Sequence, residues 1–187
     1  MRKVIAVLMM IFVVVFFYSS LQKRQPESKK KKEIIEVIAD LNDQVEKKYP
    51  DNPIEIIEIH NEIINMLYGK ELTEEETTQA VEVQRKLYAE EFLALNPIEK
   101  HMLEIARETV MNGEKEIKII GSKVMNSYND PPGTMRVQVV HYTNKQDQDL
   151  VREYIVKEEN SPSSEKKKWK IFGWENIGVA KTQEEKE

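Results

Sequence analysis

The chain has no cysteine. No disulfide can staple the fold, no thiolate can hold zinc, and no acyl chain can be attached to make a lipid anchor. The same absence suits a bacterial surface protein that avoids oxidation, and it suits a cytoplasmic protein equally. Histidine is also scarce. His60, His101 and His141 are the only three, and none stands in an H-x-x-x-H or H-E-x-x-H spacing, so the pattern that places two imidazoles on one helix face around zinc is missing. The six glycines form no Gly-rich loop of the kind that cradles phosphate. No cofactor motif is present.

One long hydrophobic run is present, at the start. Val4 to Tyr18 is uninterrupted by polar residues, and Ser19 to Leu21 can extend it. At 1.5 Å per residue the extended run reaches roughly 27 Å, close to the thickness of a bilayer core. A secretory signal would end in small residues at the positions a peptidase reads; cleavage after Ser20 would place Tyr18 there instead, so the run reads as an uncleaved anchor. Its partner is membrane lipid. Orientation has two opposed signals. The three-residue leading tail favours export of the C-terminal part, whereas Lys23, Arg24 and Lys29 to Lys32 after the span favour retention of that flank inside. The exported, single-pass arrangement in a bacterial cell membrane is the expectation.

Charge divides the chain at the same place. Residues 1 to 32 hold eight Lys or Arg against Glu27, whereas residues 33 to 187 hold 20 bases against 32 acids. The lysine run can lie against anionic head groups or be solvated beside the anchor. A module this acidic argues against nucleic acid as a partner, because phosphate binding needs a basic face. The expected organisation is an anchor over 1–22, a charged linker over 23–32, an α+β domain over 33–178, and a disordered tail over 179–187. Within the domain, 33–69 forms a helical hairpin and 73–178 the remaining helices and the sheet.

The helices are well punctuated. The first runs from near Glu33 to Tyr49-Pro50, with Ile34, Ile38, Leu41 and Val45 on one face. The second is capped by Asn52, starts with Pro53 and ends at Gly69, and its stripe of Ile56, Ile59, Ile63 and Leu67, with Ile57 and Ile64 beside it, predicts burial of most of the helix. Thr73 and Glu76 have capping-box spacing for a third, predicted to continue to Leu95. Asn96-Pro97-Ile98-Glu99 repeats the grammar of Asn52-Pro53-Ile54-Glu55, and Gly113 lies as far from Asn96 as Gly69 from Asn52. The helix interiors share almost nothing, so common capping rules explain this better than an internal repeat.

After Gly113 the period becomes two. Glu116 to Tyr128, Thr134 to Thr143, Leu150 to Glu158 and Lys168 to Asn176 read as strands, joined by polar turns too short for a crossover helix. An antiparallel meander of about four strands packed on helices follows. Val137 and Val139 share one face, Val151 and Ile155 another, and Trp169 with Ile171 opposes Phe172 with Trp174.

Residues from about 84 to 178, above all Tyr154-Ile155-Val156-Lys157-Glu158 followed by Lys168-Trp169-Lys170-Ile171, resemble the closing hairpin of cystatin-like domains of the nuclear-transport-factor-two-like type found in bacterial envelope proteins. The resemblance implies a cone in which a curved sheet wraps a long helix. Some members use the resulting pocket for catalysis or small ligands, and others leave it as an assembly surface. The hairpin from Glu33 to Gly69 is extra to that plan.

The candidate chemical groups do not add up to a mechanism. Each histidine reads as a core or surface residue, although His60 falls four residues after Ile56 on the apolar stripe. Asp130 before Pro131 offers a general base but is better explained as a turn initiator. Ser161 to Ser164 supplies hydroxyls without a base. Tyr154 and the two tryptophans are either core or pocket lining. No catalytic, cofactor-binding or metal residue is assigned. The expected role is a non-enzymatic scaffold or protein-binding module. The alternative is a pocket-bearing cone acting on a small envelope molecule, which would need a concave site joining at least two of His101, His141, Asp130 and a tyrosine.

Overall fold

The computed structural model describes residues 34–161 and 164–179. The expected anchor, linker and terminal tail from residue 180 lie outside the described residues, as do Pro162 and Ser163. Among the described residues no helix is long and apolar enough to cross a membrane. The chain divides into two units, Met1–Ala39 and Asp40–Glu187. Five helices and one four-stranded sheet are seen: α1 (34–47), α2 (Pro53–Gly69), α3 (Glu74–Arg85), α4 (Glu90–Leu95) and α5 (Ile98–Glu114), then β1 (Ile119–Asn129), β2 (Thr134–Thr143), β3 (Leu150–Ser161) and β4 (Ser164–Val179). This is the α+β order that the change of period predicts.

Helix α2 is the centre of the second unit. The Asn52 side chain accepts from Ile54 N at 2.9 Å, and Pro53 stands in the first turn. Apolar residues at nearly every turn position leave ten of its residues buried, including Ile56, Ile57, Ile63 and His60, so neighbours must cover it on several sides. The sheet covers one of them. Gly69 lies so close to β1 that an added Cβ would stand 2.2 Å from the Ile119 carbonyl oxygen. At the other end, Lys86 Nζ ties α1 to the end of α3 through Asn42 Oδ1 at 2.7 Å, and Tyr49 donates to the Trp169 carbonyl at 2.7 Å.

The third predicted helix is broken in two. Its capping box forms as expected, with Glu76 N donating to Thr73 Oγ1 and Thr73 N to Glu76 Oε2. The helix then stops at Arg85, and Leu87 to Ala89 runs parallel to β4: Ile171 N donates to Leu87 O at 2.8 Å and Ala89 N to Ile171 O at 2.9 Å. Leu87, Tyr88 and Ala89 are all buried there. Covering the free edge of β4 and burying three side chains outweighs local helix propensity, which is a weak preference.

Asn96 also differs from its expected role. It closes α4, its amide donating to Phe92 O at 3.1 Å, and α5 begins after Pro97 without a side-chain cap. Only Ile105 of α5 is buried, against ten residues of α2. The shared Asn-Pro and Gly punctuation therefore bounds two helices of different character, and no repeat is present.

The sheet is the expected meander in the order β1-β2-β3-β4, antiparallel throughout. The register of its strands shifts in five places. Ile120, Met125, Phe172 and Ile177 are each an extra residue between consecutive pairs, and a fifth shift, between Asn160 and Ser161, leaves two extra residues on β4. A bulge shifts the alternation by one, so Ile171 and Trp174 fall on the same face rather than on opposite faces as the simple period requires. β4 also continues to Val179, taking in the first residue of the expected tail.

Candidate functional site

Register decides which side chains meet on the face of the sheet that packs against α2. Val137 pairs with Tyr154, Val139 with Arg152, and His141 stands beside Ser122. Tyr154 in turn pairs with Trp174, and Arg152 with Asn176. Opposite residues of an antiparallel pair share a face, so Ser122, His141, Arg152, Tyr154, Trp174 and Asn176 all point the same way. From α2 come His60 and Asn65, and from the α3 region Gln84 and Tyr88.

Two hydrogen-bonded groups result. His141 Nε2 lies 3.1 Å from the Tyr154 hydroxyl and its Nδ1 2.7 Å from Ser122 Oγ, which lies 2.7 Å from Asn65 Oδ1. With the Asn65 carbonyl oxygen as final acceptor, proton positions follow. Ser122 donates to Asn65, so it accepts from His141 Nδ1–H, and Nε2 is left to accept from Tyr154. That order runs opposite to the one a serine nucleophile needs, in which the imidazole accepts the hydroxyl proton. In the second group His60 Nε2 faces the Tyr88 hydroxyl and the Gln84 amide, each at 3.1 Å. His60 Nδ1 and Gln84 Oε1 have no partner in this arrangement. Turning the Gln84 amide over would let Oε1 accept from a protonated Nε2 and leave Nδ1 a bare acceptor.

Aromatic rings join the two groups. The His60 ring lies 5.2 Å from that of Tyr154, 5.7 Å from Tyr88 and 5.8 Å from Trp174, and Phe92 meets both Tyr88 and Trp174. His60, His141 and Tyr154 are fully enclosed. Burial, reinforced by the positive charge of Arg152, pushes the His141 pKa down to about 3. Burial and then the neighbouring His141 and Arg152 hold His60 well below the ordinary value. Burial raises the phenols of Tyr88 and Tyr154. The cluster is neutral at neutral pH.

Residues 1–174 match the model of a family described as a domain of unknown function (DUF6715). The chain belongs to that family. No curated protein and no solved structure matches it. The DUF6715 match takes in the apolar N-terminal run together with the helices and nearly all of the sheet.

The other residues singled out in this DUF6715 chain lie apart. His101 is half-buried on α5 with its ring 5.9 Å from that of Tyr88, and burial and Arg85 lower its pKa. Asp130 is on the outer face of the sheet, where it accepts from Arg136 Nε at 2.6 Å. Arg136 also reaches Glu153 at 2.8 Å, and Glu153 accepts from Tyr128 at 2.5 Å and Gln138 at 3.0 Å. These bonds, Tyr128's and Gln138's first, lower the Glu153 pKa. His141 joins a tyrosine, Tyr154, but both are enclosed rather than lining a concave site. His101 and His141 approach different tyrosines and Asp130 is on the opposite face. Ser161 and Ser164 close the β3–β4 ladder. Among the described residues no three His, Asp or Glu side chains converge to hold a metal ion.

Asn65, Gln84, Ser122 and Arg152 were not visible as site residues in the sequence. His60 carried a signal, its place on the α2 stripe. Ser122 and His141 become neighbours only through a register that the Met125 bulge in β1 sets.

Proposed function

We propose that this chain is a membrane-tethered, non-enzymatic module that holds a cystatin-like α+β domain on the extracytoplasmic side of a cell membrane and binds a protein partner there. One observation carries the reading. The sheet face on which a cone domain keeps its pocket is occupied by His60, Tyr88, Tyr154 and Trp174, with ring centroids 5.2 to 5.9 Å apart. A general base works best with a pKa near the working pH, and the enclosed His141 is far below it. Elsewhere large apolar side chains stand exposed: Leu103 and Val110 on α5, Ile120 and Met125 on β1. The long apolar run after Arg2 and Lys3 supports the tether.

Two measurements on the full chain test this. Alkaline phosphatase fused after Glu187 should be active, and fluorescence from a cytoplasm-only reporter would reverse the side. A photo-crosslinker at Ile120 in native membranes should give a discrete protein adduct that one at Glu58 does not. The absence of adducts at Ile120, Leu103 and Val110 alike would overturn the partner reading.

A further inference from the structure

A cleft of about 330 Å³ opens between the C-terminal turn of α2, the loop to α3, and α5 with its link to β1. It is separate from the histidine cluster. The floor is apolar, made by Leu67, Ile105 and Ile117, of which Leu67 and Ile105 are buried. One wall is held rigidly. Gly69 touches the β1 backbone, and α5 ends in a turn that places Glu116 at φ 55° and returns Ile117 N to Asn112 O at 2.9 Å.

Of the polar side chains around the cleft, Tyr68 donates to Glu108 at 2.5 Å and Thr77 to the Thr73 carbonyl at 2.9 Å. Thr109 and Asn112 line it without a side-chain hydrogen bond to another described residue. Lys70 and Lys118 stand at the rim; Lys118 has only a loose pair at 3.8 Å with Glu71, which is almost fully exposed, and Lys70 has no carboxylate in reach among the described residues. This basic rim belongs to a domain that is otherwise strongly acidic. An apolar floor with a few convergent polar groups, at the small end of the usual size range, is the pattern of a small-ligand site. We infer that the cleft binds a small amphipathic carboxylate, its short acyl or aryl body on Leu67, Ile105 and Ile117 and its anion between Lys70 and Lys118, with Thr109 and Asn112 supplying neutral hydrogen bonds. The inference is independent of the tether and of any protein partner.

The test is a titration of the full chain in lipid nanodiscs with hexanoate and with hexanamide, read by methyl NMR. Hexanoate should shift the Ile105 and Ile117 methyls saturably, leave Leu103 on the opposite side of α5 unmoved, and bind about tenfold tighter than the amide. The double variant Lys70→Glu, Lys118→Glu, at two exposed positions, should abolish that preference. Thr109→Trp should fill the cleft and remove the shifts while the melting temperature holds. Equal response to acid and amide, unchanged shifts in Thr109→Trp, equal movement at Leu103, or no saturable shift at either isoleucine would each overturn the proposal.

Discussion

The two faces of the sheet treat polar groups in opposite ways, although they alternate along the same strands. On the face toward α2, His141, Tyr154, Ser122 and Asn65 form a neutral line of hydrogen bonds, and burial keeps both His60 and His141 unprotonated. On the other face, one residue along β3, Glu153 takes bonds from Tyr128, Gln138 and Arg136, while Arg136 also holds Asp130. Where α2 excludes water, an ion would lose its hydration and the stable arrangement is neutral; the His141 line is paired throughout, whereas His60 Nδ1 keeps no partner. On the outer face charges persist: Glu153 is buried but takes three donors, whereas Arg136 and Asp130 reach water, where they are screened. Arg152 is the exception. It is a half-buried cation on the inner face, oriented by Asn176 Oδ1 at 3.1 Å, and its charge is part of what keeps both histidines neutral.

If the inner face is the structural one, truncating it should have the largest effect. Tyr154→Ala is expected to lower the unfolding free energy by about 3–5 kcal/mol, read by urea denaturation, whereas Tyr154→Phe keeps the ring and should cost about 1 kcal/mol. Similar losses for the two would show that the hydroxyl, rather than the packing, holds the face together. The next effect is one of pH. An unfolded histidine titrates near 6.5, so above that value His141 is neutral in both states. Below it the unfolded chain binds a proton that the folded chain refuses, and stability falls as pH falls, down to the folded value of about 3. Between about pH 7 and about pH 5 the contribution from His141 is a loss of about 2 kcal/mol. His141→Gln should remove that share of the slope and leave what His60 and His101 contribute, and an unchanged slope in that variant would place the titrating group elsewhere.

Much of this contrast was legible before the structure. The helix caps at Asn52 and Thr73, the burial of most of α2 and the four-stranded meander follow from spacing and turn residues. The site was less legible for physical reasons. Ile171 and Trp174 share a face because Phe172 is an extra residue in the ladder, and nothing in an alternating pattern marks where a bulge will fall. Tyr88 reads as a helical residue until β4 supplies an edge for it to cover. Asp130 stands at its hairpin turn, Asp130 N donating to Thr134 O at 3.1 Å, but its side chain pairs with Arg136, six residues on, a partner set by strand register rather than by helical or turn spacing.

Two smaller effects sharpen the comparison from each side. On the inner face, Ser122→Ala leaves His141 Nδ1–H without an acceptor and should cost about 1–2 kcal/mol, with the His141 ring signals in NMR broadening or shifting. On the outer face the measure is the Glu153 carboxyl titration. Its pKa is held below the usual range first by the Tyr128 hydroxyl and the Gln138 amide, with Arg136 behind them. The stabilisation this gives is present above the ordinary carboxylate value and is lost as pH falls through the lowered one. Tyr128→Phe should therefore raise the Glu153 pKa more than Arg136→Gln does. The stability loss from Arg136→Gln should be the smallest of the set and should shrink as salt is added, because a water-accessible guanidinium is screened. A loss in Arg136→Gln that matched Tyr154→Phe and survived high salt would mean that Arg136, like the buried Glu153, is shielded from water, and the two faces would no longer differ in kind.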